Sequence, residues 1–383
     1  MMMKKTILTL CSLGLLAACN TTPKNNITGK LEGVESQKLL VKAYPVADRE
    51  AVTTDTIAMH DGAFAFRLDD SRLSSVHLYA LPSDEVVEDG SRAAQSMQSV
   101  DFLLLPSSEV SISGTMDEAQ VEGGAFYERY NSFKAEHRAT SEQIKRIQAE
   151  CSAMAQAGIA RDSIIKHYAQ IRPLSKQLSD AKFEYIKANP NDALSVVFLT
   201  QISRAQTEEA FGLLTEEVKN GEMADLYASL KRQIEQRQLT MENAKKVVEG
   251  CEAPDFSLNK PNGEVFTLSS LKGRYVVLDF WGSWCGWCIK GMPEMKKHYE
   301  QYHEKVEFVG IACRDSHEKW IEAIAEHQIP WINVRNVDQN DVAVMYGVNG
   351  YPTKFILDGE GRIVKKVIGE DPEFYKELQR LMK

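Results

Sequence analysis

The chain has 383 residues, of which 43% are hydrophobic and 26% are charged, and its formal net charge is −9 at pH 7. This length exceeds what one hydrophobic core usually supports, so two or three domains are expected, and the composition is typical of a globular protein. The negative net charge argues against nucleic acid as a partner.

The first 18 residues have the pattern of a secretory signal peptide. Two lysines precede a mostly apolar run that is too short for a typical transmembrane helix. The run ends in Leu-Ala-Ala followed by Cys19, which resembles the lipobox of bacterial lipoproteins. The resemblance implies cleavage before Cys19 and lipidation of that residue, whereas an ordinary signal peptide with an incidental cysteine is the alternative. By the same resemblance, Asn20 implies the outer membrane, and we expect the periplasmic face.

Residues 19–26 form a short polar tether, and residues 27–117 contain many short strand-like runs. Strands are predicted at residues 38–44, 76–80, 99–105 and 109–113. Asp61 and Gly62 lie between two alternating runs and predict a hairpin turn. Many strands at this spacing predict a β-sandwich. The segment resembles the DUF4369-type β-domain that precedes thioredoxin modules in some envelope lipoproteins, and it shows no catalytic constellation.

Residues 118–249 have helical periodicity and are predicted to form a helical spacer or docking element. The clearest helix follows Pro190, because Leu194, Phe198 and Ile202 recur on one helix face. Cys151 lies on another apolar stripe, so we expect it in a core rather than at a reactive site.

From residue 251 to 383, strands and helices alternate. Apolar strands are predicted at residues 276–280 and 306–312, a hairpin at 354–368 and a closing helix at 371–382. A Cys-Gly-Trp-Cys motif, Cys285 to Cys288, follows the first of these strands. A zinc site would need a second pair of ligands at suitable spacing, and a purely structural disulfide would close a loop too small to add much stability. The motif therefore predicts a redox pair.

The position of the motif predicts distinct roles for its two sulfurs. A strand delivers Cys285 to the N-terminal end of a helix, where free N–H groups and the helix dipole favour a thiolate. Cys285 is therefore the expected attacking sulfur, and Cys288, one turn further on, is the expected resolving thiol. The oxidising conditions of an exported protein are compatible with such a disulfide.

This part of the chain resembles the thioredoxin fold. Trp284 precedes the first cysteine, Asp279 stands six residues before it, and Pro293 stands five residues after the second. The resemblance implies that Asp279 is a buried carboxylate that takes a proton from the resolving thiol, although a structural carboxylate is the alternative. Tyr351 and Pro352 resemble the cis-proline loop, with an ordinary trans turn as the alternative.

The resemblance also implies how a substrate is held. The backbone of Tyr351 would lie beside the attacking sulfur and pair with the backbone of the substrate. Contacts with the substrate are therefore expected from Trp284, Gly286, Trp287, Tyr351 and Pro352. Trp287 is a departure from thioredoxin, which has proline at that position.

An additional strand and helix between Cys288 and Pro352 resemble the TlpA/ResA branch, within the AhpC/TSA redoxins. That branch often carries Arg and Glu where this chain has Ile289 and Gly291. The resemblance implies membrane-anchored thiol–disulfide exchange on periplasmic proteins, including apocytochromes before haem attachment, with a membrane electron donor. A reductase is favoured. No metal and no cofactor beyond the Cys285–Cys288 disulfide are expected.

Several alternatives stay open from the residues alone. The enzyme could work as a disulfide oxidase or isomerase, or as a peroxidase, although a peroxidase would be expected to carry a single peroxidatic cysteine in another context. A non-catalytic binding lipoprotein with a passive thioredoxin module is a rival from a different class. A Cys151–Cys251 disulfide is a further hypothesis, and Cys313 is expected to be a buried thiol.

Overall fold

The computed structural model describes residues 24–48, 51–81, 99–337 and 341–383. The predicted signal peptide, Cys19 and most of the predicted tether lie outside these ranges. The chain divides into two compact units, with the boundary after Leu230. The sequence-based domain boundaries stay predictions. Within the ranges just given, no helix combines the length and the apolar character needed to cross a membrane.

The first unit begins with two four-stranded sheets. Their strands are β1 (Ile27–Glu32), β2 (Lys38–Pro45), β3 (Thr53–Ala58), β4 (Ala63–Phe66), β5 (Ser74–Ala80), β6 (Ser99–Leu104), β7 (Val110–Thr115) and β8 (Gln120–Glu122). The orders are β4-β1-β7-β8 and β3-β2-β5-β6. β1 and β7 are parallel, and the other pairings are antiparallel. The strands predicted from the sequence are present, and their alternating buried residues form a shared core.

The turn at Asp61 and Gly62 closes one antiparallel bridge, between His60 and Ala63, where the chain passes from one sheet to the other. Asp61 and Gly62 have positive φ, 50° and 75°, as the Asp-Gly pair predicts. The strands on either side diverge, because β3 pairs with β2 while β4 pairs with β1. The Gly62 carbonyl also accepts a hydrogen bond from the Leu31 N–H at 2.9 Å. The turn was predicted correctly, and the predicted hairpin is limited to this one bridge.

Eight helices follow the sheets. They are α1 (Ala125–Glu136), α2 (Arg138–Gln156), α3 (Arg161–Tyr168), α4 (Ile171–Ala188), α5 (Ala193–Leu199), α6 (Arg204–Leu213), α7 (Glu216–Lys219) and α8 (Ala224–Lys246). All seven residues of α5 are buried. Phe126 and Phe198 belong to the same hydrophobic core as Leu39 and Val76 of the sheets. The helical segment therefore completes the core of the sheets and is more than a spacer.

The second unit contains one seven-stranded sheet of order β10-β9-β13-β12-β11-β14-β15. Its strands are β9 (Ser257–Asn259), β10 (Val265–Thr267), β11 (Tyr275–Trp281), β12 (Val306–Ala312), β13 (Ile332–Arg335), β14 (Thr353–Leu357) and β15 (Ile363–Ile368). Its helices after α8 are α9 (Gly286–Tyr302), α10 (His317–Glu326), α11 (Val342–Met345) and α12 (Pro372–Met382), with a short 3-10 helix at Leu268–Leu271.

Side chains of β11 point alternately to the two faces of this sheet, and each face packs against a different set of helices. Leu278 and Phe280 belong to the core that includes residues of α11, whereas Val277 and Trp281 belong to the core formed with α9, α10 and α12. Since successive strand residues point to opposite faces, Asp279 lies on the α9 side. β11 is parallel to β12 and antiparallel to β14. The second unit has the thioredoxin fold that was predicted for residues 251–383.

Candidate active site

The two motif cysteines lie where β11 leads into α9. They form a disulfide with an S–S distance of 2.05 Å. Cys285 is the N-cap of α9, and the Cys288 N–H donates a hydrogen bond to its sulfur at 3.2 Å. Only 6% of Cys285 and 3% of Cys288 are exposed. On reduction, the free N–H groups and the helix dipole at this end favour a thiolate at Cys285.

Two exposed tryptophans lie next to the cysteines in the sequence, one directly before Cys285 and one directly before Cys288. Trp284 is 49% exposed and Trp287 is 68% exposed, which is unusual for such large apolar side chains. The Trp284 indole N–H donates to the carbonyl oxygen of Cys313 at 2.9 Å, and its ring meets that of Tyr351 edge-on with centroids 5.2 Å apart. The Lys290 ammonium lies 5.0 Å from the centre of the Trp287 ring. The arrangement leaves an apolar, aromatic surface around the pair.

The peptide bond between Tyr351 and Pro352 is cis, as predicted. Pro352 directly precedes β14, which pairs with β11 and so brings the loop to the end of the sheet where the disulfide lies. The Tyr351 ring packs against the core that includes Cys285, and the Arg314 guanidinium lies 5.6 Å from its centre. The predicted substrate-contacting residues of this loop are therefore at the same edge of the domain as the cysteines.

Asp279 is buried, and its partner is a buried lysine that the sequence reasoning missed. Asp279 and Lys354 are cross-strand partners in the β11–β14 register. Lys354 Nζ lies 3.2 Å from Asp279 Oδ1 and 2.6 Å from Glu370 Oε1. Burial lowers the pKa of Lys354, but the carboxylates of Asp279 and Glu370 outweigh burial and hold that pKa above its ordinary value. The site therefore contains one ammonium between two carboxylates.

A signal for Lys354 was present in the sequence. Lys354 precedes the apolar run Phe355–Leu357 of its strand, and it lies on the same face as Ile356, which is the face toward α9. A lysine on a buried face needs a carboxylate partner, since an unpaired buried charge is costly.

A loop after β12 braces the segment before the cysteines. The Asp315 carboxylate accepts hydrogen bonds from the Ser283 N–H at 2.9 Å and the Ser283 hydroxyl at 2.5 Å. The Cys313 N–H donates to the Trp281 carbonyl at 2.8 Å. The sequence reasoning also missed Asp315. The carboxyl ends of adjacent parallel strands lie at the same edge of a sheet. Because β11 and β12 are parallel, the loops that follow them, which carry Ser283 and Asp315, lie close together.

Two glycines of α9 have different environments. A Cβ at Gly286 would meet no atom within 4 Å, so packing does not require glycine there. A Cβ at Gly291 would lie 2.1 Å from Glu370 Oε1. The Glu370 carboxylate therefore occupies the space beside Gly291, and it also lines a groove of about 470 Å³ together with Trp287 and Tyr375.

The described cysteines outside the motif are free thiols. Cys151 is buried beside Ile147 and Ile171, and Cys251 is partly exposed and unbonded. The hypothesis of a Cys151–Cys251 disulfide is therefore wrong for this structure. Cys313 is buried, as predicted, and burial raises the pKa of its thiol well above the ordinary value. A protonated, enclosed thiol is a poor nucleophile, so Cys313 is not expected to take part in exchange.

Comparison with known proteins supports this assignment for the second unit. A sequence model of the AhpC/TSA family matches residues 250–366. The chain is 35% identical over 119 residues to the thioredoxin-like protein YneN of Bacillus subtilis, which covers 30% of this chain and 69% of that protein. It is 35% identical over 124 residues to the thiol-disulfide oxidoreductase ResA of the same organism, covering 32% and 69%.

A solved structure gives a match of similar extent. The thioredoxin domain of a thiol-disulfide oxidoreductase from Bacteroides vulgatus is 29% identical, with a TM-score of 0.34, and the match covers 36% of this chain and 99% of that one. Because the family match begins at residue 250, the likeness of residues 27–117 to DUF4369 stays a prediction.

Proposed function

The chain belongs to the ResA-like thiol–disulfide oxidoreductases of the AhpC/TSA family, and on this basis we propose that it reduces disulfides in periplasmic proteins. The observation that carries the proposal is the Cys285–Cys288 disulfide at the N-terminus of α9. The buried Asp279 lies on the face of the sheet that packs against the same helix. Proteins with exposed disulfides or thiols are the substrates.

In the proposed reaction, the reduced enzyme transfers two electrons to a client disulfide. The Cys285 thiolate attacks one client sulfur, so a Cys285–client bond forms and the other client sulfur leaves as a thiolate. Cys288 then gives its proton to the Asp279 carboxylate and attacks the Cys285 sulfur. The Cys285–Cys288 bond forms, and the second client sulfur leaves as a thiolate. Both client thiolates take up protons, and the cysteine pair carries both electrons without a bound cofactor.

We assign the surface around the pair to client binding. Trp284 and Trp287 offer exposed aromatic area, Gly286 leaves open space between the cysteines, and the backbone of Tyr351 before Pro352 can pair with an extended client segment. A client that contains a Cys-x-x-Cys-His segment, the haem attachment motif, is the candidate substrate of most interest.

The direction of electron flow is tested by the reduction potential of the pair. The protein is equilibrated with dithiothreitol buffers, and the fraction of Cys285–Cys288 disulfide is measured by thiol alkylation and mass spectrometry. A potential near that of thioredoxin, about −270 mV, supports a reductase. A potential near about −120 mV would overturn the proposed direction and indicate a disulfide donor to client proteins.

The role of each cysteine is tested by matched serine variants. Cys288→Ser is expected to accumulate a mixed disulfide between Cys285 and a peptide carrying an oxidised Cys-x-x-Cys-His segment. Cys285→Ser is expected to form none and to lose reductase activity. Full function in the Cys285→Ser protein would instead support a non-catalytic binding module, and peroxide consumption that depends on Cys285 would support the peroxidase alternative.

We further propose that Cys19 is lipidated after removal of residues 1–18, which would hold the enzyme at the outer membrane facing the periplasm. A reductase in an oxidising compartment must be re-reduced, so the proposal includes a membrane-bound dithiol donor. The support is the lipobox-like sequence before Cys19. Cys19→Ser is expected to release the protein from the membrane fraction, and retention of the variant in that fraction would contradict the lipid anchor.

A further inference from the structure

A chain of charges connects Asp279 to the surface of the second unit. Asp279 is 5% exposed and Lys354 is 2% exposed, while the Glu370 side chain is 20% exposed and lines the groove beside Trp287. We propose that Glu370, acting through Lys354, sets the pH at which Asp279 accepts the proton of Cys288. Lys354 and Glu370 are positioning residues in this proposal, which rests on the general-base role proposed for Asp279.

The Lys354 ammonium lies closer to Glu370 than to Asp279. Lys354 donates a hydrogen bond to Glu370 at 2.6 Å, whereas its contact with Asp279 is an ion pair at 3.2 Å. Asp279 Oδ1 accepts no aligned hydrogen bond from the described residues. The Glu370 carboxylate therefore holds the Lys354 ammonium in a position from which it makes no aligned hydrogen bond to Asp279 Oδ1.

The helix that carries the cysteines has a matching space for Glu370. Gly291 lies one turn beyond Cys288 in α9, and the Glu370 carboxylate lies where a side chain at that position would begin. Glycine is an unfavourable residue inside a helix, so its presence at this position calls for a local reason. The close approach of Glu370 supplies one, and it places the carboxylate against the helix of the reacting sulfurs.

Other titratable groups surround the charge chain, and none of those that the structure describes forms a second ion pair with Asp279. From α12, the Tyr375 hydroxyl lies within electrostatic range of Asp279 and Glu370, and burial raises the pKa of Tyr375 above its ordinary value. From α9, Glu294 and His298 line the groove, and His298 stacks on the Tyr375 ring. The groove is also lined by Lys290, Asp371 and Lys376. Lys354 is the buried cation in contact with Asp279.

The experiment follows the resolving step as a function of pH in the full chain. The reduced protein is mixed with the aromatic disulfide dithionitrobenzoate, which releases one coloured thiolate when Cys285 attacks and a second when Cys288 resolves the mixed disulfide. The background from other thiols is subtracted with the Cys285→Ser/Cys288→Ser protein. The quantity compared is the pH at which the second phase reaches half of its maximal rate.

Opposite shifts are expected from the two positioning residues. Glu370→Gln leaves Lys354 to Asp279 alone, which favours the carboxylate, so the half-maximal pH falls by about one unit. Lys354→Met removes the cation, so the half-maximal pH rises by about one to three units. Glu373→Gln is the matched control, because Glu373 pairs with Lys376 on the same helix, and no shift is expected. In the Lys354→Met background, Glu370→Gln is expected to shift the half-maximal pH by less than half as much as in the wild type.

Each outcome decides between the inference and the proposal on which it rests. Glu370→Gln is close in shape to the natural side chain and partly exposed, so its effect can be read even if Lys354→Met fails to fold. An unchanged or raised half-maximal pH in Glu370→Gln overturns the inference, while Asp279→Asn abolishing the pH-dependent step would leave the role of Asp279 intact. If Asp279→Asn keeps that step unchanged, both the general-base role and the inference are wrong.

Discussion

At the scale of single residues, the active site depends on the space that small side chains leave. Gly291 gives the Glu370 carboxylate its place against α9, and the end of a glutamate side chain can move when that place is filled. The contact at risk is the 2.6 Å hydrogen bond between Lys354 and Glu370. Gly291 therefore affects both the stability of α9 and the position of the Glu370 and Lys354 charges near Asp279.

Gly291→Ala separates these two effects. The alanine displaces the Glu370 carboxylate from Lys354, so the pH for half-maximal resolution is expected to fall, as in Glu370→Gln. The free energy of unfolding is expected to change by less than about 1 kcal/mol, because the gain in helix propensity offsets the displaced contact. Urea unfolding and the two-phase thiolate assay measure the two quantities. Gly286→Ala, where a Cβ has open space, is the control in the unfolding measurement for an added methyl in the same helix, and Glu373→Gln is the control in the thiolate assay. A Gly291→Ala protein with unaltered pH dependence would contradict the prediction.

At the scale of elements, the buried helix α5 is held by one aspartate that has three partners. Asp192 accepts the N–H of Leu194 at 2.9 Å as the N-cap, accepts the Tyr185 hydroxyl at 3.0 Å, and pairs with Arg129 at 2.6 Å. Burial, together with the Asp192 charge, raises the pKa of Tyr185 to about 12. Asp192 thus links α1, α4 and α5, and the core of the first unit is formed by these helices together with the two sheets.

Asp192→Ala is expected to destabilise the protein by about 3 kcal/mol, the sum of a lost cap and a lost charged hydrogen bond. Asp192→Asn keeps a good cap but loses the charge, so about half of that cost is expected. Chemical unfolding followed by circular dichroism measures both variants. Equal losses for the two substitutions would show that the cap contributes little and that the charge carries the stabilisation.

At the scale of the whole molecule, the site residues all lie in the second unit, and that unit includes the end of α8. The Asn243 side-chain amide donates to the Val344 carbonyl at 2.9 Å, and Val247 is buried in the core of the sheet. Lys366 Nζ donates to the Val247 carbonyl at 3.0 Å. A domain that starts at residue 250, where the family match begins, would lack these contacts.

A fragment of residues 224–383 is therefore expected to have the reduction potential of the full chain. A fragment of residues 250–383 is expected to be less stable by about 3 kcal/mol, which combines the burial of Val247 with the Asn243 hydrogen bond. Urea unfolding of the two fragments provides the comparison, with the disulfide intact in both. Equal stability would show that α8 adds nothing to the fold of the second unit.

Local pattern predicted much of the fold because each feature lies within a few residues of its cause. Short apolar runs identified the strands 306–312 and 276–280, and the Asp-Gly pair identified the turn at Asp61. The hairpin at that turn extends no further than the His60–Ala63 bridge, because sheet membership depends on β1 and β2, which lie elsewhere in the chain. The prediction of a Cys151–Cys251 disulfide failed for a similar reason, because spacing along the chain does not show which thiols the fold brings together.

The sequence by itself determined the redox pair, because a strand followed by a cysteine at the start of a helix is a local arrangement that favours a thiolate. It also determined the buried Asp279 and the cis bond before Pro352, through their resemblance to a known fold. Only the tertiary structure decided that Lys354, Glu370 and Asp315 belong to the site. Their partners come from different strands and loops, and the register between β11 and β14, together with the close approach of the 370 region to α9, brings these charges within contact distance.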